Sequence, residues 1–312
     1  MVRYLVTGGA GFIGSNIARR LVSQGHEVTV LDNFSSGHRH NLAPIMDRID
    51  LVEGDIRDEA DVAKALNGVT YVIHQAAIPS VQRSVLDPFP TNEANITGTL
   101  RLLWGALEAG VSRLVMASSS SVYGESPTLP KVETMGPAPM SPYAVSKLAA
   151  EVYGQSFTRT FGLEVVALRY FNVFGPWQDP EGAYAAVIPK FIAMMLEGKV
   201  PTIFGDGLQS RDFSYIDNVV QANIKACTAP KAAGGVYNVA CGERTTLIDL
   251  VSTLNDILGL EIEPNFAAPR SGDIKHSLAD IDAARRDLGY VPSVDFAEGI
   301  RKTVDWYREN LA

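Results

Sequence analysis

A tyrosine and a lysine four residues apart, Tyr143 and Lys147, form the pair best suited to acid–base chemistry in this sequence. Four residues along a helix place two side chains on one face, and the chain contains this Tyr-x-x-x-Lys spacing once. Ser141 is a good N-cap and Pro142 a good first helical residue, so Tyr143 should lie in the first turn, where the helix dipole favours a phenolate. The neighbouring ammonium also lowers the pKa of a tyrosine from its ordinary value of about 10. The pair therefore predicts a general base.

A glycine-rich turn near the start of the chain predicts a phosphate-binding site. Gly8, Gly11 and Gly14 are spaced so that one allows a tight turn, one lets the backbone reach a pyrophosphate and one lets a helix pack close to a sheet. The helix N-terminus supplies free N–H groups to the phosphates. Asp32 closes the next apolar run, where a carboxylate accepts hydrogen bonds from both ribose hydroxyls and repels the additional phosphate of NADP. The turn alone would also suit a plain structural loop, but with Asp32 it predicts NAD as the cofactor. The positive charge of nicotinamide would then lower the pKa of Tyr143 further.

Short apolar strands alternate with amphipathic helices over roughly the first 170 residues, a pattern typical of a parallel sheet with helices on both faces. The predicted strands are Arg3–Thr7, Glu27–Leu31, Asp50–Glu53, Tyr71–His74, Arg113–Ala117 and Glu164–Arg169. Later helices are predicted at Ile216–Ala226, Leu247–Leu258 and Phe296–Glu309. We therefore predict an α/β protein, with a Rossmann-type doubly wound parallel sheet over residues 1–172 and a smaller α/β substrate-binding lobe over 173–312. Parts of 212–245, including Val236–Val239, are expected to return to the first domain.

Residues that directly follow the strands are candidates for the cofactor site, because ligands of such sheets bind beyond the carboxyl ends of the strands. Asp55 and Ile56 follow the third strand and suit the adenine edge. Ala76 and Ala77 follow the fourth strand and leave space for the cofactor, although they would equally serve helix packing alone. The predicted cofactor-binding residues are Gly8, Gly11, Phe12, Ile13, Gly14, Asp32, Asn33, Ser35, Ser36, Gly37, Asp55, Ile56, Gln75, Ala76, Ala77, Asn95, Ala117, Ser118, Tyr143, Lys147 and Tyr170.

Composition narrows the class of protein and partner. The 312 residues can bury one large core or two lobes around a cleft. A formal net charge of −8 disfavours nucleic acids and anionic membranes as partners. The sequence shows no basic leader, cleavage site or long apolar stretch, so we expect a soluble, cytoplasmic protein. Cys227 and Cys241 lack metal-ligand spacing, so we expect free thiols and no metal site.

Taken together, these motifs resemble the extended short-chain dehydrogenase/reductase superfamily and, within it, the NAD-dependent nucleotide-sugar epimerases. The resemblance covers essentially the whole chain. It rests on Thr7-Gly8-x-x-Gly11-x-x-Gly14, His74-Gln75-Ala76-Ala77, Ser119 four residues before Tyr123, Tyr143-x-x-x-Lys147, and Arg169-Tyr170-Phe171-Asn172-Val173-Phe174-Gly175. Without the resemblance, the serine run from Ser118 to Ser121 could be an ordinary polar loop with one hydroxyl, or none, meeting a ligand.

The resemblance implies roles for individual residues. Ser119 and Tyr143 handle the proton of a sugar hydroxyl, and Lys147 holds the nicotinamide ribose and tunes Tyr143, so these three are the predicted catalytic residues. The predicted substrate-binding residues are Ser119, Tyr143, Asn172 at the diphosphate, Val187, Phe204 stacked on uracil, Arg211 and Arg270 at the phosphates, Asp273 at the ribose, and Ser277 beside the C2 substituent of the sugar. From composition alone, an exposed arginine is more often a solvated surface charge. The resemblance also implies a homodimer that packs through helices at Thr91–Glu108 and Tyr143–Thr160.

Ser120 and Ser121 determine which reaction we expect. Nucleotide-sugar dehydratases that resemble this chain carry an acidic pair at these positions, and the decarboxylases keep a glutamate in this loop. Serine cannot act as a general acid or base near neutral pH, so oxidation at C4 followed by return of the hydride is the chemistry left. We therefore expect a 4-epimerase, in which Tyr143 takes the C4 hydroxyl proton, the 4-keto sugar turns about its diphosphate link, and C4 is reduced on its other face.

Ser277 bears on the choice of sugar. A small residue at this position of the family admits an N-acetyl group, whereas a tyrosine leaves room only for a hydroxyl. Because residues 172–190 also resemble bacterial UDP-N-acetylglucosamine 4-epimerases, we predict UDP-N-acetylglucosamine and UDP-N-acetylgalactosamine as substrates. UDP-glucose and UDP-glucuronate stay open as alternatives. Two other classes of protein also stay open. One is a catalytically silent NAD-binding regulator, although the presence of all three predicted catalytic residues disfavours it. The other is a dehydrogenase that releases NADH.

Overall fold

The computed structural model describes residues 2–180, 186–269 and 275–310. Its strands are β1 (Arg3–Thr7), β2 (Glu27–Asp32), β3 (Asp50–Glu53), β4 (Tyr71–His74), β5 (Arg113–Ser119), β6 (Glu164–Tyr170), β7 (Val173–Phe174), β8 (Thr202–Phe204), β9 (Ser210–Arg211), β10 (Ser214–Tyr215), β11 (Val236–Val239), β12 (Thr245–Thr246) and β13 (Asn265–Ala267). Its α-helices are α1 (Phe12–Ser23), α2 (Glu59–Ala65), α3 (Val81–Leu86), α4 (Pro88–Asn92), α5 (Thr99–Glu108), α6 (Pro142–Phe161), α7 (Val187–Leu196), α8 (Ile216–Thr228), α9 (Leu247–Leu258), α10 (Asp282–Leu288) and α11 (Phe296–Asn310).

Seven parallel strands form the central sheet, in the order β3-β2-β1-β4-β5-β6-β11. From β1 the chain first builds outward through β2 and β3, then crosses back to β4 on the other side of β1. The boundary between β1 and β4 is thus the switch point, where ligands bind in sheets of this kind. The predicted doubly wound α/β fold is confirmed.

Helices cover both faces of the sheet. Neighbouring residues of a strand point to opposite faces, and Leu5 and Val6 of β1 accordingly lie in two different buried clusters. The cluster of Leu5 includes Phe157 of α6, whereas the cluster of Val6 includes Ile17 of α1. Burial on both faces is why these strands are apolar almost throughout.

Beyond β6 the described residues form three small two-stranded sheets, β7 with β10, β8 with β13 and β9 with β12. Two segments of this part of the chain return to the central sheet and its helices. Helix α8 packs against α1, and β11 pairs in parallel with β6 at the edge of the central sheet. The division of the chain at residue 172 stays a prediction. None of the helices in the described ranges is long and apolar enough to span a membrane.

Candidate active site

A cleft of about 1130 Å³ opens at the carboxyl ends of the central strands. Most of the predicted site residues line it: Gly8, Gly11, Phe12, Ile13, Gly14, Asp32, Asn33, Ser35, Ser36, Gly37, Asp55, Ile56, Gln75, Ala76, Ala77, Ala117, Ser118, Ser119, Tyr143, Lys147, Tyr170 and Asn172. The predicted dinucleotide end and the predicted catalytic end thus belong to one continuous cavity.

The glycine turn between β1 and α1 is closely packed against the protein at two of its three positions. Gly8 has a φ of +65°, and a Cβ there would lie 2.6 Å from the backbone nitrogen of Ala76. A Cβ on Gly14 would lie 2.1 Å from the carbonyl oxygen of Gly8. At Gly11 a Cβ would approach only the Gly8 carbonyl, at 3.2 Å, so this position faces the open cleft. These contacts match the division of roles among the three glycines that the spacing predicts.

Asp32 holds the loops at the entrance of the glycine turn. One carboxylate oxygen accepts the N–H of Ala10 at 2.8 Å, and the other accepts the N–H of Phe34 at 2.8 Å. The side chain is almost fully buried, and burial raises its pKa although both hydrogen bonds act to lower it. Each oxygen retains a second acceptor position, which is what binding of two ribose hydroxyls requires.

Asp55 is anchored at the edge of the cleft by a bidentate ion pair with Arg57, at 2.9 and 2.7 Å. The Asn33 amide donates to the same carboxylate at 2.7 Å. The hydrogen bonds from Arg57 are the main cause that lowers the pKa of Asp55 to about 2. Asp55 therefore stays ionised near neutral pH, with its charge balanced by the Arg57 guanidinium.

Tyr143, of the predicted catalytic pair, lies in the first turn of helix α6 as predicted. The Ser141 side chain caps the helix by accepting the N–H of Ala144 at 3.2 Å, and Pro142 is the first helical residue. Lys147 is buried, its Nζ donates to the carbonyl oxygen of Ala117 at 3.0 Å, and it lies 5.9 Å from the centre of the Tyr143 ring. The end of β5 thus orients the ammonium group toward the face of α6 that carries the phenol.

Burial opposes the predicted lowering of the tyrosine pKa. Enclosure of the phenol raises the pKa of Tyr143, and a hydrogen bond with the Ser119 side chain lowers it in part. Burial also lowers the pKa of Lys147 to about 8, against the attraction of Glu151. Contrary to the expectation, the Tyr143 pKa therefore lies above its ordinary value among the protein's own groups, because desolvation of the phenolate outweighs the hydrogen bond with Ser119.

Behind the pair lies a buried ion pair that sequence analysis missed. Glu151, one turn after Lys147, accepts two hydrogen bonds from the Arg169 guanidinium, at 2.9 and 2.7 Å, and also accepts the Ser118 hydroxyl. Arg169 in turn lies over the Tyr123 ring, 4.7 Å from its centre. The sequence did contain a signal for this ion pair: Glu151 follows Lys147 by four residues, as Lys147 follows Tyr143, so all three share one face of the helix.

Asn95 does not line the cleft. It lies in a π-helical turn, Glu93–Gly98, and its amide group holds the backbone of Ile78 at 2.8 and 3.3 Å and the Ser146 hydroxyl at 3.0 Å. Its place is therefore one layer behind the loop that follows β4. The predicted direct contact of Asn95 with the cofactor stays a prediction.

The described substrate residues divide into two groups. Asn172 lines the cleft, with a left-handed φ of +37°. The second group lies outside the lining of the cleft: Val187 on α7, Phe204 on β8, Arg211 on β9, and Ser277. Ser277 lies beside β9, because its N–H donates to the carbonyl oxygen of Ser210 at 3.0 Å. Arg270 and Asp273 lie outside the described residues.

Comparison with known proteins identifies the family. The pattern of the NAD dependent epimerase/dehydratase family matches residues 4–240. The chain belongs to this family. A UDP-glucose 4-epimerase of Mycolicibacterium smegmatis is 41% identical over 312 residues, spanning 98% of this chain and 99% of that protein.

Two solved structures of family members are closely similar. The UDP-N-acetylglucosamine 4-epimerase of Methanobrevibacter ruminantium M1, in complex with UDP-N-acetylmuramic acid, is 42% identical with a TM-score of 0.94 and covers 99% of this chain and 98% of its own. The UDP-glucose 4-epimerase of Thermus thermophilus, in complex with NAD, is 39% identical with a TM-score of 0.89 and covers 99% and 100%. The present chain belongs to the same family, so it is an enzyme, and NAD is its cofactor.

The residues of this epimerase/dehydratase fit NAD. The first N–H groups of α1 have no partner within the helix, and Phe12 and Ile13, which carry two of them, line the cleft directly after the Gly11 opening. The structure also adds to the cleft Arg83 of α3 and Ser80, the residue that caps this helix. Both lie near the predicted catalytic end, because the hydroxyl of Ser84 in the same helix accepts the N–H of Tyr143 at 3.1 Å. The sequence carries no motif that would have indicated either residue.

Proposed function

We propose that this protein interconverts the C4 epimers of a UDP-hexose, with UDP-N-acetylglucosamine and UDP-N-acetylgalactosamine as its main substrate pair. The observation that carries the proposal is the convergence of Ser119, Tyr143 and Lys147 at one end of a cleft whose other end has the glycine turn and Asp32. The similarity to proteins named as UDP-sugar 4-epimerases, over nearly the whole chain, supports the same activity.

Proton transfer at the sugar falls to Tyr143 and Ser119. NAD, when bound, accepts a hydride and returns it. The Tyr143 phenolate oxygen takes the proton of the C4 hydroxyl and later gives it back, and Ser119 shares that proton through its hydrogen bond with the phenol. Lys147 holds a positive charge close to the ring at neutral pH, which favours the phenolate.

Epimerisation is preferred over dehydration because of the residues after β5. Ser120 and Ser121 begin a short 3-10 turn, and the Ser121 hydroxyl donates to Ser119 at 2.9 Å. In the described part of the cleft the carboxylates are Asp32, Asp55 and Asp179. Asp32 and Asp55 belong to the predicted adenosine end, and Asp179 faces the His38 ring of the loop after β2 at 3.9 Å. In that part of the chain no carboxylate next to Ser119 supplies the acid that loss of a C6 hydroxyl requires.

The choice of the N-acetylated pair rests on Ser277 and on the resemblance to UDP-N-acetylglucosamine 4-epimerases. UDP-glucose is the second candidate, favoured by relatives named as UDP-glucose 4-epimerases at about the same identity, 39–41%.

The deciding experiment incubates the purified enzyme with UDP-glucose, UDP-N-acetylglucosamine and UDP-glucuronate separately and resolves the C4 epimers by chromatography. We expect the highest kcat/KM with the N-acetylated sugar and no accumulation of NADH, followed by its absorbance. Stoichiometric NADH would show a dehydrogenase instead, and absence of turnover with every UDP-sugar would show a silent NAD-binding protein.

We also propose that the protein is a homodimer that packs through α5 and α6 together with the neighbouring α3 and α4. These helices expose apolar side chains that a monomer would leave in water: Leu86, Phe89, Trp104, Val145 and Val152, between 48% and 79% exposed. Sedimentation velocity should give a dimer, and Val152→Asp should shift it to monomer. A parent protein that sediments as a monomer at micromolar concentration would refute this assembly.

A further inference from the structure

Asp212 is a fully buried carboxylate, and among the described residues its oxygens accept hydrogen bonds from backbone N–H groups. One oxygen accepts the N–H of Cys241 at 2.9 Å, and the other accepts the N–H groups of Gly242 and Ala279, both at 3.1 Å. Burial raises its pKa to about 6, so near neutral pH the group is a carboxylate and both oxygens act as acceptors. Two segments that are distant from Asp212 in sequence, residues 241–242 and the segment at Ala279, are thus tied to one side chain.

Asn172 is held by the same short segment. Its side-chain amide donates to the carbonyl oxygen of Asp212 at 3.0 Å, and its own carbonyl accepts the N–H of Ser214 at 3.2 Å. A left-handed φ is uncommon outside glycine, although asparagine adopts it more readily than most residues, and these two hydrogen bonds help to hold Asn172 in this conformation. The segment around Asp212 supplies these contacts at the edge of the cleft.

Arg211 and Ser277 are placed by the same arrangement. Arg211 directly precedes Asp212, and its Nη1 donates to the carbonyl oxygens of Ser210 and Lys275, at 3.0 and 3.2 Å. Ser277 lies two residues before Ala279, and its N–H donates to the carbonyl of Ser210. The Asp212 carboxylate therefore connects the Arg211 strand to the Ser277 segment.

From this geometry we infer that Asp212 is a positioning residue for the nucleotide end of the substrate site. It fixes the positions of Asn172, Arg211 and Ser277 relative to one another, so that they can bind the diphosphate and sugar of a UDP-sugar. The inference rests on the proposed function, because the ligand contacts of these three residues belong to it. Asp212 does not line the cleft and acts through its neighbours. Its loss should weaken binding of the uridine nucleotide and leave NAD binding intact, since the residues of the predicted dinucleotide end lie elsewhere in the cavity.

Asp212→Asn is the sharpest variant. The amide keeps one acceptor oxygen and the shape of the side chain, but its NH₂ group must face at least one of the three backbone N–H donors. Asn255→Ala is the matched control, because Asn255 likewise ties two segments, through the N–H and carbonyl of Ile262 at 3.1 and 3.0 Å, without touching Asp212 or its three partners. Both variants remove hydrogen bonds between a side chain and backbone, so a purely structural role would lower the melting temperature in both.

The experiment measures the Kd of UDP by calorimetry, the bound NAD, the melting temperature, and kcat and KM with the best UDP-sugar. For Asp212→Asn we expect the Kd of UDP and the KM to rise about tenfold or more, with kcat within about threefold of the parent and NAD content unchanged. For Asn255→Ala we expect a lower melting temperature and an unchanged Kd of UDP. An unchanged Kd in Asp212→Asn, or an equal loss of NAD, would overturn the inference.

A second variant decides the matter if Asp212→Asn does not fold. Ala279→Pro removes the backbone N–H that donates to the Asp212 carboxylate at 3.1 Å, and leaves Asp212 and its two other hydrogen bonds in place. A rise of about two- to fivefold in the Kd of UDP with unchanged NAD content supports the inference, and no rise contradicts it. If the parent turns over no UDP-sugar, the proposed function fails independently of either variant.

Discussion

Gly14 tests how closely helix α1 must approach the glycine turn. In Gly14→Ala the new Cβ would lie 2.1 Å from the carbonyl oxygen of Gly8 and 2.8 Å from the Cα of Gly9. Real Cβ atoms essentially never come within 3.0 Å of such atoms, and both neighbours are backbone that cannot rotate away. The start of α1 must therefore move by about 1 Å relative to the turn.

The expected loss follows from two opposing terms. Overpacking costs about 1–3 kcal/mol, and so short a contact belongs at the upper end, about 3 kcal/mol. Alanine recovers about 1 kcal/mol relative to glycine inside a helix, which leaves a net loss of about 2 kcal/mol. At about 2–4 °C per kcal/mol, the melting temperature should fall by about 4–8 °C. The displaced helix start would also weaken phosphate binding, so the Kd of NAD should rise at least about tenfold, or about 1.4 kcal/mol.

The assay is thermal unfolding without added nucleotide, followed by calorimetric titration with NAD. Gly136→Ala is the control, because no heavy atom lies within 4 Å of its new Cβ and its φ is outside the left-handed region. Its melting temperature should stay within about 1–2 °C of the parent. If Gly14→Ala retained the stability and NAD affinity of the parent, close helix packing would not be the reason for glycine at this position.

Four further predictions concern single side chains. Tyr143→Phe should reduce kcat about 10²–10⁴-fold with NAD still bound, since only the phenolic oxygen is lost; near-normal turnover would remove Tyr143 from the proton transfer. Asp32→Ala should raise the Kd of NAD and reduce discrimination against NADP, and an unchanged ratio of the two Kd values would contradict its ribose role. Ser277→Tyr should lower kcat/KM for N-acetylated UDP-sugars and spare UDP-glucose, whereas an equal fall on both would show that Ser277 does not select the sugar. His74 is buried between the Thr7 and Thr99 hydroxyls, at 2.7 and 2.9 Å, and burial lowers its pKa to about 3. Because the unfolded chain then binds the extra proton, stability should fall by up to about 1.4 kcal/mol per pH unit as the pH drops from about 6.5 toward about 3, and His74→Gln should flatten this slope in pH-dependent urea unfolding.

Local sequence signals predicted the first half of the chain closely. The bounds of β1, β3 and β4 agree with the prediction, because each strand is a short apolar run between turn residues. β5 and β6 are longer than predicted, by two residues and one residue, because Ser118 and Ser119 continue the pairing of β5 with β6 as far as Tyr170. Serine has no strong strand preference, so the pairing is decided by the neighbouring strand and not by the residue.

What the sequence could not predict depends on three-dimensional neighbours. The apolar residues Ile96, Leu100, Leu103 and Leu107 predict one buried face of a helix. In the structure Leu103 is buried and Leu100 and Leu107 pack against the same cluster, but the fully buried residues of α5 also include Thr99, Leu102 and Ala106. Ile96 lies in the π-helical turn before α5, whose wider turn takes it out of the 3.6-residue period. The direction of the Tyr143 pKa shift likewise depends on how completely the folded chain encloses the phenol, which no spacing in the sequence records.

The pairing of β11 with β6 has a consequence for synthesis of the protein. β6 ends at Tyr170, and the strand that covers its edge begins only at Val236, 66 residues later. On the ribosome, residues 1–172 therefore emerge before β11 and α8 have been made. Until then the edge of β6 is unpaired, and α1 lacks the helix that packs against it. Unpaired edges invite pairing with other chains, so the nascent protein passes through an aggregation-prone interval. For the same reason, a fragment cut at residue 172 would carry the predicted cofactor and catalytic residues but not the strand that closes their sheet.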